Sequence, residues 1–107
     1  MQKDFLIYLN KRLIKRYNDY RGIYFFGSRV NEDFRQDSDF DIVLLFDKVE
    51  RNKSLEIYGI IGETEYKYDI FIDVKILTDK EFRINPFFYE EVTTKGIFYG
   101  AQEKNIH

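Results

Sequence analysis

Ile23-Tyr24-Phe25-Phe26-Gly27-Ser28 is followed, after the ten residues 29–38, by Asp39-Phe40-Asp41-Ile42-Val43-Leu44-Leu45-Phe46-Asp47. The first segment reads as a short buried strand, Ile23 to Phe26, that stops at a glycine. The second reads as a strand with Phe40, Ile42, Leu44 and Phe46 on one face and Asp39, Asp41, Val43 and Leu45 on the other. Apolar residues on both faces beyond Asp41 predict a central strand with a polar mouth at its N-terminal end. A glycine at a strand end lets backbone amides approach a ligand, and Ser28 adds a hydroxyl, so the pair suits a small anion-binding nest. Asp39 and Asp41 leave the same face about 6.6 Å apart at the backbone. That spacing suits carboxylates around a pair of metal ions about 3.5–4 Å apart. Two carboxylates about 4 Å apart repel by around 4 kcal/mol at an effective dielectric of 20, so the cluster must take up protons or hold a cation. Oxygen-only ligands select Mg²⁺ or Mn²⁺ over zinc. Phosphates at Gly27-Ser28 and metal at the Asp pair describe a nucleoside-triphosphate site. A calcium loop starting at Asp37 is excluded, because its sixth position is Ile42 instead of Gly and its twelfth is Lys48 instead of Glu.

Outward from this centre, residues 4–20 carry Leu6, Leu9, Leu13, Tyr17 and Tyr20 at helical steps, predicting an amphipathic helix ended by Gly22. Its polar side holds Lys11, Arg12, Lys15 and Arg16, which read as a solvated face. Residues 54–67 are weakly helical, with Gly59 and Gly62 against it. Residues 68–77 alternate as a third strand, with Asp69, Phe71, Asp73, Lys75 and Leu77 on one face. A third carboxylate is expected from this strand. Asp69 and Asp73 stand about 13 Å apart along it, so only one can join the pair. Asp73, flanked by Ile72 and Val74, is favoured over Asp69 at the wetter start. Thr78-Asp79-Lys80-Glu81 fits a capping box, and Asn85-Pro86 opens a last helix running to about Lys95 and closed by Gly96. The order predicts an α/β domain with a small mixed sheet of about three strands flanked by helices.

The 107 residues make one domain, divided as an N-terminal helix (1–21), a catalytic sheet (22–78), C-terminal helices (79–100) and a tail (101–107). Lys plus Arg number 17 against 19 Asp plus Glu, a net charge of −2 that argues against extended nucleic-acid binding. The absence of Cys excludes thiol chemistry and zinc–thiolate sites; the single His is His107, so histidine-based catalysis is excluded as well. No stretch is apolar enough for a signal peptide or a membrane span, and a cytoplasmic location is expected. Phe87, Phe88, Tyr89, Phe98 and Tyr99 crowd the C-terminal part, and some are expected at a partner interface.

Phe26-Gly27-Ser28-Arg29, with Asp39-Phe40-Asp41 following Ser28 after the ten residues 29–38, resembles the signature of the DNA-polymerase-β nucleotidyltransferase superfamily. In so short a chain it looks like a minimal nucleotidyltransferase (MNT), the antitoxin of HEPN–MNT toxin–antitoxin pairs. The similarity runs from about residue 22 to 100 and includes the Ile72-Asp73-Val74 strand. It implies the minimal polymerase-β-like fold and AMP transfer from ATP to a tyrosine hydroxyl of a partner HEPN-type RNase toxin. Asp39, Asp41 and Asp73 would hold two Mg²⁺ ions, and Asp73 would help deprotonate the incoming hydroxyl. Gly27 and Ser28 would grip the β- and γ-phosphates; Arg29 and Arg35 match basic positions of the motif and would neutralise the triphosphate. The family often has Ala-Arg-Gly where this chain has Val30-Asn31-Glu32. Two alternatives stand beside this reading: an antitoxin that neutralises by binding alone, and a small-molecule nucleotidyltransferase of the aminoglycoside-modifying kind.

Overall fold

A computed structural model describes residues 4–27 and 39–101 of the chain; Ser28, Arg29 and Arg35 lie outside them. Its elements run α1 (Asp4–Arg16), β1 (Tyr20–Phe26), β2 (Phe40–Phe46), α2 (Arg51–Tyr68), β3 (Ile72–Leu77), α3 (Asp79–Ile84), α4 (Pro86–Lys95) and β4 (Ile97–Gly100). The sheet has four strands in the order β3-β2-β1-β4. β1 is antiparallel to both β2 and β4, while β2 and β3, joined through α2, are parallel.

Alternation along β2 sorts the core into two layers, as the sequence predicts. Phe40, Ile42, Leu44 and Phe46 join Phe5, Leu6, Leu9 and Leu13 of α1 and Ile57, Ile60 and Ile61 of α2. Val43 and Leu45, on the opposite face, pack with Phe82 of α3 and Val92 of α4. Aromatic rings interlock in both layers: Phe5 lies 4.9 Å from Phe40, and Phe82 lies 4.8 Å from Tyr89. β2 is therefore central and covered on both sides.

Four boundaries differ from the sequence reading. First, α1 stops at Arg16. Tyr17 and Tyr20 continue the apolar spacing and are buried, but from a turn and the start of β1. Gly22 accordingly lies within β1 and does not end the helix. The β1–β2 register shifts between Tyr20 and Gly22, a bulge, and Gly22 takes φ +149°. A Cβ there would stand 2.7 Å from the Phe98 ring and from the Tyr99 carbonyl, so glycine admits β4 alongside. Second, α2 begins at Arg51 and takes in Tyr68, so β3 starts only at Ile72. Asp69 caps α2 in the left-handed region (φ 56°, ψ 52°), its N–H donating to the Glu65 carbonyl. Third, Ile97–Gly100 adds a fourth strand beyond the three expected. Its four residues, preceded by Gly96 and ending on Gly100, carry too short an alternation to announce themselves. Fourth, the residues assigned to C-terminal helices (79–100) therefore end as a strand. The two C-terminal caps form as predicted. Thr78 and Glu81 make a reciprocal capping box, and Asn85 Oδ1 accepts from the N–H groups of Phe87 and Phe88. No helix among the described residues is long and apolar enough to cross a membrane.

Candidate active site

One end of the sheet gathers the C-terminus of β1 and the N-termini of β2 and β3. In the ladders Phe26 pairs with Asp41, and Asp41 pairs with Asp73. Neighbouring residues in register project to the same face, so Asp41 and Asp73 stand side by side. The Phe40 N–H donates to the Phe71 carbonyl at 2.9 Å and locks the two strand starts together. Asp39 immediately precedes β2 and is exposed, as is Asp73, whereas Asp41 is half-buried. Asp69 lies off the strand, in the turn after α2, so Asp73 is the carboxylate brought beside Asp41.

Gly27 ends β1 with φ +90°, and a Cβ built there would collide with the Asp41 carboxylate. The positive φ favours glycine there, and any side chain would have to displace the Asp41 carboxylate. Burial pushes the Asp41 carboxyl above its ordinary value, and the charges of Asp73 and Asp39 push it further, opposed by Lys75. Lys75 pairs with Val43, two residues along the same face. The sequence reading placed it on that face without giving it a part. Glu65 was passed over altogether; its carboxylate accepts from the Ile72 N–H at 2.8 Å, a bond between α2 and β3 that no local motif announces.

A divalent cation fits this donor set. The ligands are all oxygen, and a cation would relieve a half-buried carboxylate pressed by two like charges. Among the described residues no three His, Cys, Asp or Glu side chains are gathered into a ready-made cage. Mg²⁺ suits such a partial site, since it binds through one or two carboxylates and completes its shell with water and substrate phosphates. Of the C-terminal aromatic residues, Phe87 (84% exposed) and Phe98 (46%) face solvent, while Phe88, Tyr89 and Tyr99 are half-buried against the core.

The family model "Polymerase beta, Nucleotidyltransferase" matches residues 10–104. The chain belongs to that family. The chemistry of this polymerase-β-type domain is nucleotidyl transfer. Its fold is that of solved MNT antitoxins in complex with HEPN toxins. One is the complex of tri-AMPylated Shewanella oneidensis HEPN toxin with MNT antitoxin, at 22% identity and a TM-score of 0.64, covering 98% of this chain and 77% of that one. A toxin–antitoxin structure with AMP-PNP gives 20% identity and a TM-score of 0.68, covering 98% and 78%. A MntA–HepT toxin–antitoxin structure gives 20% and 0.59, covering 97% and 74%. No curated protein is significantly similar to the chain in sequence.

Proposed function

We propose that this polymerase-β-type chain is a Mg²⁺-dependent adenylyltransferase that moves AMP from ATP to a tyrosine hydroxyl of a HEPN-family RNase toxin, acting in the cytoplasm as its antitoxin. One observation carries the reading: Asp41 and Asp73 stand in register on adjacent parallel strands, with Gly27 against Asp41 and Asp39 beside it. A solved neighbour that pairs an MNT antitoxin with an AMPylated HEPN toxin, and another that holds AMP-PNP, support the acceptor and the nucleotide.

Asp39 and Asp41 would hold the metal, with Asp73 completing the set. Mg²⁺, or Mn²⁺ in its place, would supply charge neutralisation at the reacting and departing phosphates. Gly27 and Ser28 bind the β- and γ-phosphates, while Arg29 and Arg35 offset their charge. The acceptor oxygen forms a bond to the α-phosphorus as the bond to the β-phosphate oxygen breaks. Pyrophosphate leaves with that electron pair, and the hydroxyl proton passes to Asp73.

The intact mass of a HEPN-family toxin co-expressed with this chain tests the proposal. Added AMP units with the wild-type chain and none with Asp39→Asn/Asp41→Asn are the expected result. An unmodified partner that co-purifies with both versions overturns the transferase reading for this acceptor. That outcome would favour neutralisation by binding alone, the second reading.

A further inference from the structure

The peptide group between Phe71 and Ile72 is held from both sides. Its carbonyl accepts from the Phe40 N–H at 2.9 Å, and its N–H donates to the Glu65 carboxylate at 2.8 Å. Phe40 is the residue between Asp39 and Asp41, and Ile72 is the residue before Asp73. Because Phe40 bonds across to Phe71, the Ile72 N–H points to the outer edge of the sheet. There β3 has no neighbouring strand among the described residues, so Glu65 supplies the acceptor that a further strand would have offered. The Glu65 carbonyl also accepts from the N–H groups of Asp69 and, at 3.1 Å, Ile70. One residue of α2 therefore holds the N–H groups of Asp69, Ile70 and Ile72 along the way into β3.

We infer that Glu65 is the positioning residue for the carboxylate pair: by clamping the Phe71–Ile72 peptide it sets Asp73 at the height and angle of Asp41. The inference rests on the proposed role of Asp41 and Asp73. Glu65 touches neither nucleotide nor acceptor and acts through the strand. Its contribution comes from hydrogen-bond geometry, so an uncharged acceptor of the same length should serve, and a shorter charged one should not.

The test uses the full-length chain as wild type, Glu65→Ala, Glu65→Asp, Glu65→Gln and Asp73→Asn. Mn²⁺ affinity is read by electron paramagnetic resonance and Ile72 amide exchange by NMR. Glu65→Ala and Glu65→Asp are expected to bind Mn²⁺ 10–100-fold more weakly, the range typical when a support behind a metal ligand is lost. Ile72 exchange should quicken in both, while Glu65→Gln stays near wild type in both readouts. If Glu65→Ala does not fold, Glu65→Asp carries the comparison. Unchanged Mn²⁺ affinity in Glu65→Asp overturns the inference. So does a Glu65→Gln variant as weak as Glu65→Asp, because Glu65 would then act through its charge. A wild-type chain that binds Mn²⁺ no better than Asp73→Asn defeats the proposed metal role itself, and this inference falls with it.

Discussion

At the scale of single residues, Gly27 and Asp41 form one unit. A side chain at Gly27 would enter the space of the Asp41 carboxylate, and the backbone there stands at φ +90°. Gly27→Ala is therefore expected to lower stability by about 1–2 kcal/mol from the backbone conformation alone and to displace the carboxylate. Urea unfolding together with the mass assay checks both effects. Asp41 itself is held at some cost to the fold. Burial, Asp73 and Asp39 raise its pKa above the ordinary value of 3.8, so between the two values the folded chain holds more protons than the unfolded one. Stability then falls as pH rises through that window. Asp41→Asn should remove this slope and be more stable than wild type at neutral pH while losing transfer. Thermal melts across the acidic range report it, and an unchanged slope would contradict the arrangement. The spacing of Gly27 and the Asp-x-Asp pair was visible in sequence because Gly27 directly follows β1 and Asp39 and Asp41 stand at the start of β2. Lys75 and Glu65 were not read as part of the site, since their relation to Asp41 and Ile72 arises across strands and across a turn.

At the scale of elements, α2 carries a repairable weakness. A Cβ at Gly59 or Gly62 would meet nothing within 4 Å. Gly59→Ala and Gly62→Ala should each stabilise the chain by about 0.5–1 kcal/mol, seen as a higher urea midpoint at unchanged slope. The start of the same helix is held by Lys53, which donates to Asp19 Oδ2 at 2.7 Å and to the Lys48 carbonyl at 2.6 Å. Its ammonium lies 4.9 Å from the centre of the Phe46 ring. Burial would raise the Asp19 carboxyl, but the bonds from Lys53 and the Lys48 N–H prevail and hold it below its ordinary value. The pair's stabilisation is therefore present above the unfolded pKa and is lost as pH falls through the lowered one. Lys53→Met should cost about 1.5–3 kcal/mol at neutral pH, and the difference from wild type should shrink once Asp19 is protonated. The two glycines made α2 look weak from sequence. Burial of Ile57, Ile60 and Ile61 under the sheet outweighs that local penalty.

At the scale of the molecule, Asn10 ties together segments far apart in the chain. It is buried in α1, accepts a hydrogen bond from the Tyr20 hydroxyl at the start of β1, and donates to the Gly100 carbonyl at 3.4 Å at the end of β4. Tyr20 is itself buried, and that burial pushes its pKa far up. Asn10→Ala would leave the Tyr20 hydroxyl without its acceptor, a loss of about 1–3 kcal/mol. Tyr20→Phe in the same background should recover much of that loss, a pairing that a double-mutant cycle by urea unfolding measures. Little change in Asn10→Ala would show that α1 and β4 are held independently.

The sequence by itself determined the class of fold and pointed to the centre of the candidate site. Alternating residues assign β2 its two faces, the glycine and the two aspartates fall at strand ends, and capping residues mark α3 and α4; all of these are local patterns. Tertiary structure decided the rest. Strand β4 exists because Gly22 lets it lie against β1, and α1 stops early because Tyr17 and Tyr20 reach the same core from a turn and a strand. Asp73, and not Asp69, comes into register beside Asp41 because α2 extends to Tyr68 and delays the strand. These outcomes depend on which neighbour a residue meets across the sheet, and hydrophobic period alone does not carry that information.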